Sequence, residues 1–281
     1  MLASLDGMPN GPQHQFLLRQ IADLYAETDP NKGFEWLNSL PPTMESVAAF
    51  PSFFAKLGNL DPTRAITWVE QIKFEGGQKA AASAATTIIA FHNPAQGWEL
   101  LDKWKSMLPD QVTMQARLIQ SISQGSGAEV AWNIYNPENQ ILAPEDTTRF
   151  FKAVRFATAK EALDFAVSKV TPNNQPGAME AIVRNWSPTG LESVSKELAA
   201  RPVEPKYDGA YAALAGRIPT TDPVSAAKWS NIISDQKLKD TVQRQIRDFA
   251  RINDKAIFKQ VDEAVDRGEQ AAPSDGEKPS N

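Results

Sequence analysis

Apolar residues recur along this chain at the spacing expected of amphipathic helices. Apolar side chains stand 5, 8, 9 and 12 residues before Pro30 and again before Pro62. They are Tyr25, Ala22, Ile21 and Leu18, then Leu57, Phe54, Phe53 and Phe50. This spacing forms one continuous stripe on a helix of 3.6 residues per turn, so each segment is predicted to be a helix with one buried face. No alternating run is bounded by Asn-Gly or Asp-Gly turns, so no strands are predicted.

A second pattern marks where the following helix begins. The pattern Asp-Pro-x-x-small-x-x-Trp starts at Asp29, at Asp61 and at Asp222. The aspartate can cap a helix, and the proline suits the first helical position. The small residue allows close approach of a neighbouring helix, and the tryptophan fills the space between helices. Helix breakers such as Pro41-Pro42 follow. The predicted unit is therefore helix A, a short turn, a capped helix B and a breaker.

Weaker copies of the start signal fill the remaining intervals at a nearly constant period. The second residue of each signal falls at positions 30, 62, 94, 126, 159, 188, 223 and 254, so the steps are 32, 32, 32, 33, 29, 35 and 31. A single helical hairpin cannot bury its apolar faces and must stack on its neighbours. The sequence therefore predicts an all-α solenoid of about eight helix-turn-helix repeats over residues 13–267. Residues 1–12 are expected to be a flexible lead-in, and 268–281 a disordered tail.

These repeats resemble the tetratricopeptide family. Helix A, a tight turn and then Asp-x-x-x-Ala-Ile at the start of helix B, as from Asp61 to Ile66, are similar to its repeat, and the resemblance spans roughly residues 14–266. The period is near 32 residues rather than the 34 of that family, and helix A lacks its usual Leu-Gly. The resemblance implies a right-handed α-α superhelix that binds a peptide or protein on its concave face.

Composition narrows the possible functions. A net charge of -5 argues against a general nucleic-acid binder, and no apolar run is long enough for a membrane span. The chain has no cysteine and only two histidines, His14 and His92, so neither a metal nor a cofactor is expected. The chain shows no secretory signal at Met1, which predicts a cytoplasmic location, or a periplasmic one if a segment precedes Met1.

No catalytic motif stands out from the helical pattern. Ser193 and Lys196 form an isolated Ser-x-x-Lys, and the acidic pair Glu145-Asp146 is placed to complement a helix start. Three tryptophans fall outside the repeat position and are candidates for exposure, namely Trp98, Trp104 and Trp186. We therefore expect a protein that is not an enzyme.

One group of basic residues is a candidate binding site. Arg149, Lys152 and Arg155 follow one face of the fifth helix A, and Arg155 and Arg184 both stand four residues before their repeat anchors. Stacked helices would set these two side by side, and Arg247 continues the basic character of the A helices. The alternative is a solvated charged face. An arginine fork binds carboxylates in bidentate fashion, so the patch would suit an acidic peptide.

The sequence thus predicts a monomeric scaffold that binds a protein or an acidic peptide on its concave face. Two other functions stay open. One is a helical accessory region of a larger enzyme, and the other is an α/α enzyme with a central cleft.

Overall fold

A computed structural model describes residues 11–218, 222–253, 255–268 and 270 of the chain. In this part of the chain the regular structure is helical throughout, without a β-strand, so the all-α prediction is confirmed. Of the lead-in predicted at residues 1–12, residues 1–10 lie outside the described residues, and Pro12 already belongs to the first helix. The tail predicted at residues 268–281 also lies outside them, except for Gly268 and Gln270. The helices of the described residues form two compact units, one within residues 1–139 and 153–155 and the other within residues 140–152 and 156–281.

In the N-terminal unit, A and B helices alternate along the chain. Its helices are α1 (Pro12–Thr28), α2 (Pro30–Ser39), α3 (Met44–Val47), α4 (Ala49–Leu60), α5 (Pro62–Val69), α6 (Glu75–His92), α7 (Pro94–Lys103), α8 (Gln111–Ser126) and α9 (Ala128–Tyr135). The A helices pack in sequence, α1 on α4, α4 on α6 and α6 on α8. Each B helix packs on the A helix before it, as α5 does on α4 and α7 on α6.

The C-terminal unit continues the alternation of A and B helices. They are α10 (Pro144–Ala153), α11 (Ala159–Lys169), α12 (Gln175–Asn185), α13 (Leu191–Ala199), α14 (Asp208–Arg217), α15 (Pro223–Asn231), α16 (Gln236–Asn253) and α17 (Lys255–Asp266). The last residue of α10, Ala153, groups with the N-terminal unit. Here α12 packs on α14, α14 packs on α15 and α16, and α17 packs on both α15 and α16.

Most of the predicted helix starts are confirmed by capping hydrogen bonds. In each of them a side-chain oxygen accepts a bond from the amide three residues on, which satisfies a donor that the helix leaves unpaired. The capping residues are Asp29, Asp61, Asn93, Thr158 and Asp222. A proline follows four of these five caps at the first helical position, the exception being Thr158.

Two predicted starts are wrong in detail. Helix α8 continues through Ser126, and Gly127, with φ of 90°, caps α9 instead. Glycine adopts this conformation without steric cost, so the helix ends there rather than at Gly125-Ser126. After Ser187 the chain makes a 3-10 turn at Pro188–Gly190 before α13 begins at Leu191. The last predicted start includes Asp254, which lies outside the described residues.

The small residues of the start signal allow close helix packing, as predicted. A Cβ added to Gly33 would come within 2.5 Å of the Phe53 ring, and one added to Gly97 within 2.3 Å of the Ala90 Cβ. Of the repeat tryptophans, Trp132 and Trp229 are buried, whereas Trp36 and Trp68 are half-buried. The expectation that Trp104 is exposed is wrong, because its side chain is 1% exposed and packs at the end of α7.

Hydrogen bonds in both units join residues that are about one repeat apart. In the N-terminal unit the Ser121 hydroxyl donates to the carbonyl of Thr87, 34 residues earlier. In the C-terminal unit the Asn185 amide donates to the carbonyl of Lys152, 33 residues earlier. Successive A helices are therefore joined by hydrogen bonds between residues about one repeat apart.

Candidate functional site

A groove of about 740 Å³ runs over the surface of α4, α6 and α8 in the N-terminal unit. Six of its thirteen lining residues occupy two fixed positions of the repeat, ten and six residues before the cap of the following helix. At the first position stand Pro51, Ser83 and Arg117. At the second stand Ala55, Thr87 and Ser121. Because these positions are one turn apart, they face the same side of three successive A helices.

The two sides of the groove differ in polarity. On α4 and α6 the lining is mainly small or apolar, and Ala55, Ala84 and Ile88 expose their side chains in part. On α8 the lining is polar and includes the exposed residues Arg117 and Gln124. Small side chains bring the groove surface close to the helix backbones. A ligand backbone can therefore approach closely on one side and find polar partners on the other.

The hydroxyl groups in the groove hold the helices in place. The Thr87 hydroxyl donates to the Ser83 carbonyl at 2.8 Å, and the Ser121 hydroxyl donates to the Thr87 carbonyl at 2.7 Å. The Ser83 hydroxyl donates to the Met114 sulfur at 3.3 Å and accepts from the Arg117 guanidinium at 3.0 Å. Among the described residues that line the groove there is no His, Cys, Asp or Glu. The polar groups of the groove are hydroxyl, amide and cationic groups, which can form hydrogen bonds with a ligand.

The two cations of the groove differ in their partners. Lys79 forms an ion pair with Glu75 one turn earlier on α6, with 2.6 Å between Nζ and Oε1. The hydrogen bond from Lys79 lowers the pKa of the Glu75 carboxyl. Arg117 bonds to the Ser83 hydroxyl and has no carboxylate partner among the described residues. Arg117 is thus the cation that remains open to an anionic group of a ligand.

The basic residues of the predicted patch are distributed over both units. Arg155 lies in the N-terminal unit, where its backbone amide donates to the Ser123 hydroxyl. Arg184 lies in the C-terminal unit and pairs with Glu180 at 2.7 Å. The side-by-side placement of Arg155 and Arg184 stays a prediction.

The other members of the predicted patch lie on two helices of the C-terminal unit. Arg149 pairs with Asp146 on α10 at 2.6 Å, and Lys152 on the same helix is exposed. Arg247 on α16 pairs with Asp262 and Asp266 of α17. Carboxylates of this chain therefore already bind three of the five predicted residues, the third being Arg184.

The sequence interpretation missed the groove because one anchor was misplaced. Counted back ten and six residues from the predicted cap at Gly125, the equivalents of Ser83 and Thr87 are Gln115 and Ile119, which do not line the groove. Counted from the true cap at Gly127, the equivalents are Arg117 and Ser121. A glycine that can adopt positive φ, directly before an alanine at the start of α9, was the signal that could have corrected the register.

The described residues contain no cluster of His, Cys, Asp or Glu side chains able to hold a metal ion. Nor does any helix in the described ranges have the length and apolar character required to cross a bilayer. Comparison of the chain with protein-family models, with curated proteins and with solved structures gives no significant match.

Proposed function

We propose that this chain is a non-enzymatic binding protein whose groove on α4, α6 and α8 receives a peptide segment of a partner protein. The observation that supports this most is the repetition of lining positions on three successive A helices, which produces a continuous groove. Its volume of about 740 Å³ lies within the size range of ligand sites in proteins. Groove binding of an amphipathic helix is a common mode of peptide recognition.

The polarity of the groove favours a peptide with two different faces. Apolar side chains of the ligand would contact Ala84, Ile88 and Phe91, and its polar groups would lie toward Gln124 and Arg117. Burial of apolar area on the first side provides the main driving force. Hydrogen bonding on the second side fixes the orientation of the peptide.

The proposed function rests on a solenoid of about eight tetratricopeptide-like repeats. Two features support this architecture. Capped B helices recur near a 32-residue period, as at Asp29, Asp61 and Asn93. Hydrogen bonds also join A helices at equivalent repeat positions, as from Ser121 to Thr87. We propose that the A helices of the solenoid form its concave face, of which the groove is a part.

A peptide-display selection against the full chain tests this function. Selected peptides should bind the wild-type protein and lose binding to Ala84→Trp, because the larger side chain fills the groove. The matched control is Ala95→Trp, an alanine on the exposed side of α7. Peptides that bind Ala84→Trp as well as they bind the wild type would show that the groove is not the binding site.

A further inference from the structure

Helix α1 carries an exposed apolar stripe on the face that it does not present to α4. Phe16 is 60% exposed and Leu24 is 46% exposed, and half-exposed Leu17 lies between them. Gln13 and Gln20 complete the stripe at spacings of three and four residues, so these side chains share one helix face. The opposite face, which includes Leu18 and Ile21, is buried. One A helix of the N-terminal unit thus presents apolar surface to solvent.

The apolar stripe combines a shallow depression, the hole, with a projecting side chain, the knob. A depression of about 400 Å³ is lined by Pro12, Gln13, Phe16 and Leu17. Residues at positions i, i+3, i+4 and i+7 of a helix form the hole that receives a side chain of a facing helix. Here these positions are Gln13, Phe16, Leu17 and Gln20, and Leu24 is the projecting side chain beyond them.

Knob and hole match when two copies of α1 pack in antiparallel orientation. With the two-fold axis at Gln20, Leu24 of each copy faces Phe16 and the hole of the other. The match occurs twice because a two-fold interface uses the same surface on both subunits. Gln20 lies on the axis and faces its own symmetry copy.

Two charged residues on one flank of the stripe are also self-complementary. Arg19 and Asp23 stand one turn apart, yet neither has an ion-pair partner among the described residues. In the antiparallel pair, Arg19 of one copy and Asp23 of the other lie on the same flank, about 3 Å apart along the helix axis. Each interface would contain this pair twice. Such pairs set the register of an interface more than its strength.

We infer that the exposed face of α1 is a self-association site that binds a second copy of this chain as an antiparallel two-fold dimer. This interface uses none of the groove residues, so it is independent of the proposed peptide binding. The sequence predicted a monomer. The exposed face of α1 instead favours a dimer in which the two apolar stripes are in contact.

Sedimentation velocity of the full chain over a wide range of concentration tests the dimer. The wild type should form dimers, and Phe16→Glu should be monomeric. Ile141→Glu, a change at a residue that is 81% exposed elsewhere, should dimerise like the wild type. A wild type that stays monomeric throughout would overturn the proposal, including the case in which residues 1–10 cover the stripe. So would a dimer that Phe16→Glu leaves intact.

Charge exchange and cross-linking then test the orientation. Arg19→Asp and Asp23→Arg should each weaken the dimer by about tenfold, and the double exchange should restore it. The chain has no cysteine, so Gln20→Cys introduces a single thiol on the proposed axis. Mild oxidation should cross-link Gln20→Cys but not Glu35→Cys, an exposed position on α2. Failure of the double exchange to restore the dimer, or equal cross-linking at both positions, would exclude the antiparallel pairing.

Discussion

The indole nitrogen of Trp104 donates a hydrogen bond of 3.1 Å to Oε1 of Glu70, 34 residues earlier in the chain. The Lys103 ammonium binds the same oxygen at 2.6 Å. Trp104 follows α7 and Glu70 follows α5, so the contact joins the ends of two successive B helices. A tryptophan outside the repeat motif thus ties neighbouring repeats together, and its polar end finds the partner that a buried indole requires.

Replacement of Trp104 should therefore cost much stability. Trp104→Ala removes a side chain that is 1% exposed, and we expect a loss of about 3–5 kcal/mol in the free energy of unfolding. Trp104→Phe retains most of the packing and loses the hydrogen bond, so its loss should be smaller. Urea unfolding of both variants measures this. Trp98→Ala is the control, because Trp98 is half-buried and should lose less than Trp104. Equal losses for Trp98 and Trp104 would contradict the assignment.

The same contact should make stability depend on pH through Glu70. Hydrogen bonds from Lys103 and Trp104 lower the pKa of this carboxyl below its usual 4.5. A lowered folded-state pKa stabilises the protein above the unfolded-state pKa, and this contribution disappears as the pH falls through the folded-state pKa. The stability difference between wild type and Glu70→Gln should therefore be largest near neutral pH and vanish in acid. Urea midpoints of the two proteins at several pH values give this difference. A difference that is constant across the acidic range would disprove the role of Glu70 ionisation.

The helices and their caps could be predicted from the sequence because they depend on local chemistry. Asp61 and Asn93 cap helices through bonds to amides three residues away, so a short motif contains the whole interaction. The apolar stripe that includes Phe50 and Phe53 is equally local, and both residues are buried.

The groove and the partners of the arginines depend on contacts that no short motif contains. Arg117 meets Ser83 across 34 residues, and only the correct register of Gly127 brings their repeat positions into line. Trp104 was a candidate for exposure in the sequence because its hydrogen-bond partner, Glu70, lies in another repeat. The predicted basic patch relied on a shared position and did not consider the carboxylates nearby, such as Glu180 beside Arg184.

Close approach of α7 to α6 should make Gly97 intolerant of a side chain. A Cβ at this position would lie 2.3 Å from the Ala90 Cβ and 2.4 Å from its Cα. Gly97→Ala should therefore destabilise the protein by about 1–3 kcal/mol, because the two helices must separate. The matched control is Gly216→Ala in α14, where an added Cβ meets nothing within 4 Å. That change should stabilise by about 0.4–1 kcal/mol, since alanine restricts the unfolded chain and favours the helix. Thermal unfolding of both variants should give shifts of opposite sign, and shifts of the same sign would argue against the close contact.

Arg217 should contribute to stability through the end of α12, although its charge suggests a binding role. Its Nη1 donates to the carbonyls of Val183 and Trp186 at 2.6 and 2.7 Å, at the C-terminus of α12. The Val183 carbonyl also accepts from the Trp186 amide, so Arg217 adds a charged donor to a helix end where few backbone donors are available. Arg217→Ala should lower the free energy of unfolding by about 1–3 kcal/mol, because half-buried carbonyl groups lose a charged donor. Arg244→Ala is the control, since Arg244 is exposed on α16 and has no ion-pair partner among the described residues. Its effect should stay within about 0.5 kcal/mol.

Hydrogen exchange at the last turn of α12 tests whether the lost stability arises at this helix end. Arg217→Ala should speed amide exchange there, and Arg244→Ala should not. If the two variants unfold alike in urea and exchange alike, Arg217 does not act as the C-terminal cap of α12.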